Sequence, residues 1–180
     1  MNSILRREDM EETVLKNYMQ LKAELYEGII PKSLESAMLS EANWIGRGNC
    51  MCGEDVGIHV RVGDIVYMDY GQAYLNEMGY QHFGLVMTIC EKKALVIPMT
   101  SNAKTYANAY DPKNNPYGKK NLFGLPGIID GLCKQSVLFL NDMKFVNTAR
   151  IIEVKAHIDV KSTIFRDVQL GVMRILFGTK

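Results

Sequence analysis

The stretch GDIVYMDYG, residues 63–71, decides how this chain folds. A glycine bounds it on each side, and the residues between them predict a short strand with a two-residue period. Both faces of that strand carry large side chains, and one carboxylate, Asp69, stands in the middle of one face. The next apolar run begins only after QAYLNEMGYQHF, residues 72–83. A loop this long between two strands usually has a function or is disordered.

Further β-rich runs follow this strand at close spacing. FGLVMTIC (83–90) and ALVIPMTS (94–101) are separated by a tight turn, and QSVLFLND (135–142) and MKFVNTARIIEV (143–154) come later. Short strands with tight connections are typical of a small barrel or sheet. Residues 104–131 are rich in Pro, Gly, Asn, Tyr and Lys, which predicts a long, partly ordered loop with a short strand or turn near LFGLPGII.

Helical periodicity appears at both ends of the chain. Residues 7–29 place apolar side chains at spacings of four, four, three and four, which is one helical stripe, and residues 33–43 are compatible with a second helix. Residues 162–177 have a third stripe, with Ser162 or Asp159 available as the cap. The stripes comprise Met10, Val14, Tyr18, Leu21 and Leu25 in the first helix, and Ile164, Val168, Val172, Ile175 and Leu176 in the last.

The domain boundary is predicted in the glycine-rich stretch IGRGNCMCGEDVG, residues 45–57. Periodicity changes there from helical to strand-like, and glycine clusters of this kind mark linkers or exposed loops. We therefore expect a helical extension over residues 1–45 and a mainly β domain with a closing helix over residues 58–180.

Composition limits the classes of function. Hydrophobic residues make up 47% of the chain, so a packed globule is expected. The 21 basic and 20 acidic side chains give a net charge of +1, which argues against a sequence-blind DNA coat but allows a local basic groove. No apolar run reaches the length of a membrane span. The charged N-terminal stretch lacks an apolar signal core, and we expect a cytoplasmic protein.

Four cysteines offer little sign of a metal site. Cys50 and Cys52 form a C-x-C pair, and a zinc site would need two more ligands, for which His59 is the nearby candidate. Two reduced cysteines in a linker are the ordinary alternative. Cys90 ends a strand-like run and is expected in the core. We expect neither a metal nor a cofactor.

The order of the pieces resembles the MazF/PemK family of toxins from bacterial toxin–antitoxin pairs. The resemblance covers about residues 60–178. It rests on motifs in sequence order: GDIVYMDYG, a loop with Glu77-Met78-Gly79, FGLVMT, ALVIPMTSN, GLCKQSVLFLNDMKFVNTARI and a final helix. The N-terminal sixty residues are not explained by it, and could cover the barrel, extend a dimer or stand in for an antitoxin.

The resemblance implies a fold, an activity and partners. The fold would be a small, strongly curved β-barrel, SH3-like and CcdB-like, that forms a homodimer. The activity would be metal-independent cleavage of single-stranded RNA at short sequences, in a groove that the antitoxin's disordered tail blocks. The long loop over residues 72–82 would then be a flap over the RNA.

The family's site can be carried over residue by residue. Aligning the Glu-x-Gly loops puts His82 at the family's arginine and Phe83 at its proline, so the chain departs from the family at that pair. Thr100 falls on the family's threonine. Lys144 lies near a basic residue that follows the fourth strand, and Asn147 near an acidic one. The resemblance therefore suggests catalytic roles for His82, Thr100 and Lys144.

Metal-free RNA cleavage needs a base for the 2′ proton, an acid for the leaving 5′ oxygen and donors for the phosphate oxygens. Histidine titrates near neutrality and can act as acid or base, whereas arginine is a permanent cation. Lys144 would supply charge to the phosphate. Tyrosines can stack on bases, and polar side chains can contact phosphate and sugar. The expected RNA contacts are Tyr70, Gln72, Tyr74, Gln81, Ser101, Asn102 and Asn147.

Other readings remain open at the level of the sequence. Taken alone, His82 is an ordinary surface histidine, Thr100 a strand-end hydroxyl that caps a turn, and Lys144 a solvated lysine. The loss of the Arg-Pro pair favours a catalytically silent barrel that binds RNA or a protein partner, including a toxin that targets gyrase. A third reading is a toxin whose antagonist is an RNA, as in type III systems.

Overall fold

The computed structural model describes residues 12–29 and 31–178. The helices are α1 (Glu12–Gly28), α2 (Pro31–Arg47), α3 (Ala103–Asn108) and α4 (Thr163–Phe177). The strands are β1 (Asp64–Asp69), β2 (Gln81–Cys90), β3 (Lys93–Thr100), β4 (Ala109–Tyr110), β5 (Lys119–Gly124), β6 (Val137–Phe139), β7 (Lys144–Asn147) and β8 (Ile151–His157). No helix in these two ranges combines the length and the hydropathy that a membrane crossing requires.

The chain divides into two compact units, Met1–Met38 and Leu39–Lys180, and the division falls within α2. In the first unit, α1 leaves its apolar stripe largely exposed, with Leu25 at 59%. The predicted start of that helix, including Met10, lies outside the described residues. The domain boundary at residues 45–57, between a helical extension and a mainly β domain, stays a prediction.

Helix α2 ends later than the sequence predicted, at Arg47 and not at residue 43. Residues Ile45–Arg47, which were assigned to a linker, form its last turn. The Arg47 guanidinium donates to the carbonyls of Ala149 (3.3 Å) and Ile151 (2.8 Å), which are distant in sequence. These tertiary contacts stabilise the last helical turn despite the low helical propensity of Gly46, and the helix ends before Gly48.

The fold is mainly β with helices, as predicted. Neighbouring strands follow the order β4-β5-β6-β3-β2-β1-β8, with β7 also paired to β3. All pairs are antiparallel except β4–β5. Among the described strands this path is open from β4 to β8, so the expected barrel is observed as a sheet whose pairing does not close into a ring.

The stretch at residues 63–71 behaves as its pattern predicts. Gly63 and Gly71 have φ of 92° and 85°, values that glycine adopts without strain. Between them the side chains alternate between two separate cores. Ile65 belongs to the larger core, which α4 also joins. Val66, Met68 and Tyr70 belong to the smaller core, so β1 is buried on both faces.

The proline in β3 lies where the strand changes partners. Opposite β2, the strand pairs with β7 up to Val96 and with β6 from Met99 onward. Pro98 lies between these two pairings, so its missing N–H removes no hydrogen bond from either ladder. On its other side Pro98 stands opposite Gly84 of β2.

The closing helix α4 confirms the predicted cap and most of the predicted stripe. The Ser162 hydroxyl accepts from the N–H of Phe165 at 3.2 Å. Val168 and Val172 are buried, whereas Leu176 is 57% exposed. Phe165, which was not assigned to the stripe, is among the largest fully buried side chains, because the buried face is centred about one position away from the predicted one.

The region predicted as a long loop, residues 104–131, is more ordered than expected. It contains α3, β4 and β5. The side chain of Asn102 begins α3 by accepting from the N–H groups of Lys104 (2.9 Å) and Thr105 (3.1 Å). Asp111 organises the turn after β4 by accepting from the N–H groups of Lys113 and Asn114. This region is ordered by hydrogen bonds from side chains to the backbone. Such bonds produce no periodic pattern of apolar residues, so the sequence did not predict the order.

Candidate functional site

A row of residues crosses the sheet at His82. His82 in β2 stands opposite Met68 in β1, and Met68 stands opposite Ile151 in β8. The β2–β3 register pairs Phe83 with Met99, and extending it by one residue places Thr100 beside His82. Directly opposed residues in antiparallel strands have Cα atoms about 4.5–5.5 Å apart. The fold thus brings together two of the three residues that were predicted to be catalytic.

The His82 ring is oriented by the loop that precedes it. Its Nδ1 lies 2.8 Å from the carbonyl oxygen of Gly79. A carbonyl only accepts, so Nδ1 carries the proton, and in the neutral ring the basic lone pair is on Nε2. The side chain is half-buried. This arrangement leaves Nε2 as the nitrogen that can take up a proton.

Lys144 reaches the same loop from β7. It stands opposite Val96 of β3, and Val96 belongs to the smaller core, so Lys144 is on the His82 face of the sheet. Its Nζ donates to the Met78 carbonyl at 3.2 Å, while the Met78 N–H donates to Asp142 at 2.5 Å. Met78 also packs against the smaller core. The side chains of Asp142 and Lys144 therefore hold the 72–80 loop at Met78, near its end at β2, and we call this pair of contacts the clasp.

Tyr70 is buried in the smaller core, beneath the Lys144 side chain of this clasp. It is 5% exposed, its hydroxyl donates to the Phe83 carbonyl at 3.4 Å, and the Lys144 ammonium lies 5.3 Å from its ring centroid. Burial raises the pKa of the Tyr70 phenol, and the negative charge of Asp142 raises it further. The structure therefore places this predicted RNA contact in the core, where its ring is not presented for stacking on a base.

Gly84 makes room for Tyr70. A Cβ at this position would lie 2.1 Å from the Tyr70 hydroxyl and 2.4 Å from Cγ1 of Val96. The glycine in FGLVMT is thus required by the close approach of a side chain across the strand.

The other predicted RNA contacts are divided between three places. Gln72 and Tyr74 are exposed on the 72–80 loop, with Tyr74 at 85%. The side-chain oxygen of Gln81 accepts from the Tyr67 hydroxyl at 3.1 Å, on the face of β2 opposite to that of His82. Ser101 is exposed directly after β3.

The two predicted asparagines have structural partners. Asn102 caps α3. Asn147 donates to the Met51 carbonyl at 3.0 Å and accepts from the N–H of Ala149 at 2.8 Å. It pairs with Lys93, at the end of β3 opposite to Thr100. At about 3.3 Å per residue along a strand, that is roughly 23 Å from Thr100, so the structure does not bring Asn147 to the His82 row.

A pocket of about 350 Å³ opens on the other face of β2 and β3. Its apolar lining includes Phe83, Met99 and Leu132. The loop before β6 forms its far wall, and Thr100 lines it as well as flanking the His82 row. The remaining lining residues are Ser101, Gly131, Cys133, Lys134, Ser136 and Lys155.

The sequence analysis missed three cationic side chains close to these features. Lys134 and Lys155 line the pocket. The exposed Arg150 donates to the Asp69 carbonyl at 3.4 Å, at the stem of the 72–80 loop. Arg150 lies within the motif that carries the family resemblance, which was the available signal. Lys134 lies within the same motif, whereas Lys155 lies outside it, and only the tertiary structure brings residues 134 and 155 to one pocket.

The cysteines of the described residues are all reduced. Cys50 and Cys52 are half-buried, whereas Cys90 and Cys133 are exposed, so Cys90 is not in the core as expected. In residues 12–29 and 31–178, no group of three or more His, Cys, Asp or Glu side chains is placed to hold a metal ion.

No protein-family model and no curated protein sequence matches this chain. Solved structures do. A crystal structure of MazF from Deinococcus radiodurans is similar over 68% of this chain and 99% of its own, with 16% identity and a TM-score of 0.49. A crystal structure of the MazE–MazF complex from the same organism is similar over 67% and 97%, with 15% identity and a TM-score of 0.38.

Proposed function

We propose that this protein is a toxin-type endoribonuclease that cleaves single-stranded RNA without a metal ion. The observation that carries the proposal is the orientation of His82. Its Nδ1–H is bound to the Gly79 carbonyl, so Nε2 is the basic nitrogen, and continuing the β2–β3 register by one residue puts Thr100 next to His82 in the sheet. The sequence resemblance to the MazF/PemK family supports the same class of reaction.

The proposed reaction uses the substrate's own 2′-hydroxyl as nucleophile. Nε2 of His82 takes the 2′ proton, the 2′ oxygen attacks the adjacent phosphorus, and the bond from phosphorus to the 5′ oxygen breaks. The 5′ oxygen takes a proton from solvent at these partly exposed ends of β2 and β3. The products are a 2′,3′-cyclic phosphate and a 5′-hydroxyl. DNA lacks the nucleophile and would not be cut.

Thr100 and Lys144 would stabilise the charge that develops on the phosphate. The hydroxyl of Thr100 can donate to a non-bridging oxygen. Lys144 uses one of its three N–H donors on the Met78 carbonyl, which leaves two for an anion. The exposed guanidinium of Arg150 at the stem of the loop is a further cation available on this part of the surface.

The test is cleavage of a long single-stranded RNA in excess EDTA by the wild type and two variants of one residue. His82→Asn keeps a side-chain N–H for the Gly79 carbonyl but removes the basic nitrogen, and His82→Ala removes both. We expect both variants to lose 10²-fold or more in rate, in line with the contribution of general acid–base catalysis. His59→Ala, at an exposed histidine, is the matched control and should cleave like the wild type.

The end groups decide the reaction type. Discrete cuts that end in a cyclic phosphate, and that depend on His82 and Thr100, support the proposal. Cuts that survive His82→Asn and Thr100→Ala would retain the activity class but reject this site. Absence of any cut by folded wild-type protein would reject the nuclease.

The replacement of the family's Arg-Pro pair by His82-Phe83 supports a second proposed function. Without the arginine, the fold could bind RNA or a protein partner, including gyrase, and not cut. RNA or a partner that binds at micromolar concentration, with no cleavage, would favour this second function. A toxin of a type III system, with an RNA as its antagonist, is the remaining alternative.

The proposed partners follow from the proposed class. We propose a cognate protein antitoxin that occupies the RNA groove, a homodimer as the active form and a cytoplasmic location. Coexpression with any small reading frame found next to the gene, followed by size-exclusion chromatography with light scattering, would test the first two together. A monomer that cleaves RNA at full rate would contradict the dimer.

A further inference from the structure

We infer that the pocket between the ends of β2 and β3 and the loop before β6 holds one unstacked base of the single-stranded RNA, next to the phosphodiester presented to His82. This inference rests on the proposed function and specifies how its substrate is recognised. It assigns a role to residues outside the sequence-predicted site, foremost Lys134, Cys133 and Leu132.

The size and lining of the pocket suit a base. Its volume of about 350 Å³ lies within the range of small-ligand sites. Phe83, Met99 and Leu132 supply apolar surface, and the Phe83 ring is held by Tyr67, with centroids 5.1 Å apart. Any of the four RNA bases can stack on such an aromatic face, because every base has a flat π-surface. Phe83 therefore offers the stacking surface that the buried Tyr70 does not.

Polar groups at the pocket fit the edge of a base and its phosphate. Ser136 is 6% exposed, and its hydroxyl donates to the Lys134 carbonyl at 3.3 Å, so its oxygen can still accept from a base N–H. The Lys134 side chain is exposed and can contact phosphate. Lys155 is paired with Glu153 at 2.5 Å, so the argument for phosphate contact depends on Lys134.

Chain connectivity links the pocket to the proposed cleavage site. His82 and Phe83 are adjacent in β2 and point to opposite faces, as side chains in a strand do. Thr100 flanks His82 in the strand register and also lines the pocket. An RNA strand that passes the ends of β2 and β3 can therefore place one phosphate at His82 and a neighbouring base in the pocket. An apolar side chain of a protein partner would form no hydrogen bond with the buried Ser136 and no ion pair with Lys134, whereas a nucleotide can form both.

Two exposed cysteines make a test with an internal control. Cys133 lines the pocket, and Cys90 ends β2 at the turn into Lys93, the far end of the strand. The probe is a single-stranded RNA substituted with 2′-deoxynucleotides at the cleavage positions, so that it binds without reacting. Alkylation by iodoacetamide is followed at each cysteine by peptide mass spectrometry, while fluorescence anisotropy measures binding separately.

At saturating RNA we expect the alkylation rate of Cys133 to fall at least fivefold and that of Cys90 to stay unchanged. RNA that binds while Cys133 reacts at its original rate would overturn the pocket and leave the proposed function standing. RNA that does not bind at all would overturn the proposed function itself. Protection of Cys133 by an antitoxin peptide but not by RNA would assign the pocket to a protein partner and overturn the inference.

Substitutions sharpen the result. Phe83→Leu should weaken RNA binding about tenfold, in line with the loss of one stacked base. Lys134→Ala should weaken it for all sequences and lower the salt dependence by about one ion. Lys93→Ala, an exposed lysine at the other end of β3, is the matched control and should bind like the wild type. Equal affinity of Phe83→Leu and the wild type, with both folded by circular dichroism, would overturn the base-stacking role.

Discussion

At the ends of β2 and β3 that carry His82 and Thr100, the two faces of the strand pair differ in how fully they are packed, although both faces are covered by a core further along the strands. On the His82 face, Tyr70 fills the space over Gly84, and Asp142 and Lys144 hold Met78. On the other face, the ends of the same strands border a pocket of about 350 Å³. The closed face fixes the position of one ring nitrogen, which catalysis requires. The open face leaves room for a ligand, which recognition requires. Substitutions on the two faces should therefore have different consequences for stability.

The largest expected effect is at Gly84. Gly84→Val should lower the free energy of unfolding by about 2–4 kcal/mol, because the new side chain overlaps Tyr70 and Val96 in a packed layer. Urea denaturation followed by circular dichroism measures this difference.

Gly46→Ala is the matched control for that experiment, since nothing lies within 4 Å of the added Cβ. In the last turn of α2 it should stabilise by up to about 1 kcal/mol. A Gly84→Val protein as stable as the wild type would mean that the His82 face is not closed.

A smaller effect is expected when the clasp on the 72–80 loop is removed. Asp142→Ala deletes the acceptor of the Met78 N–H, and the loss of a hydrogen bond to a charged group costs about 1.5–3 kcal/mol. The Met78 amide should then exchange its hydrogen faster, which hydrogen-exchange mass spectrometry can follow on a peptide covering the loop.

Asp130→Ala, at an exposed carboxylate, provides the comparison for that measurement. Equal exchange of the loop in the two variants would show that Asp142 does not hold it.

Two lysines compare the faces directly. Lys144→Met removes the donor to the Met78 carbonyl on the closed face and should cost about 1 kcal/mol. Lys134→Met changes an exposed side chain at the open pocket and should stay within about 0.5 kcal/mol. Thermal unfolding of both variants gives the difference, and the reverse ranking would contradict the assignment of closed and open faces.

The smallest expected effect is a pH-dependent change in stability at Asp111, in the turn after β4, which lies on neither face of the β2–β3 pair. Burial, the largest single influence, raises the pKa of Asp111, but the hydrogen bonds from Asn114 and Lys113 together outweigh it and lower the pKa. The folded state therefore favours the ionised form. Its contribution to stability is present above the unfolded pKa of about 3.9 and is lost as the pH falls through the lower folded value.

Asp111→Asn should thus be less stable than the wild type at pH 7 by a margin that shrinks as the pH falls below about 4. Urea unfolding at a series of pH values measures this margin. A margin for Asp111→Asn that is constant with pH would contradict the prediction.

The candidate site was only partly predictable. The motif order located His82, Thr100 and Lys144, and the fold sets the first two side by side and brings the third to the same face. The motif order could not reveal that Tyr70 is buried, because that burial depends on the space that Gly84 provides on another strand. Nor could the motif order reveal that Asn147 lies at the far end of β3, since the resemblance had placed Asn147 near an acidic residue of the family.

The sequence by itself determined the local elements of this protein. A two-residue period and flanking glycines define β1, and a 3.6-residue stripe with a Ser162 cap defines α4, because both are set by short-range sterics and hydrogen bonds. Only the tertiary structure decided which face of β2 is closed, where β3 changes partners and which cations line the pocket. These features depend on contacts between residues far apart in the chain, such as Met78 with Asp142, whose energies no local pattern encodes.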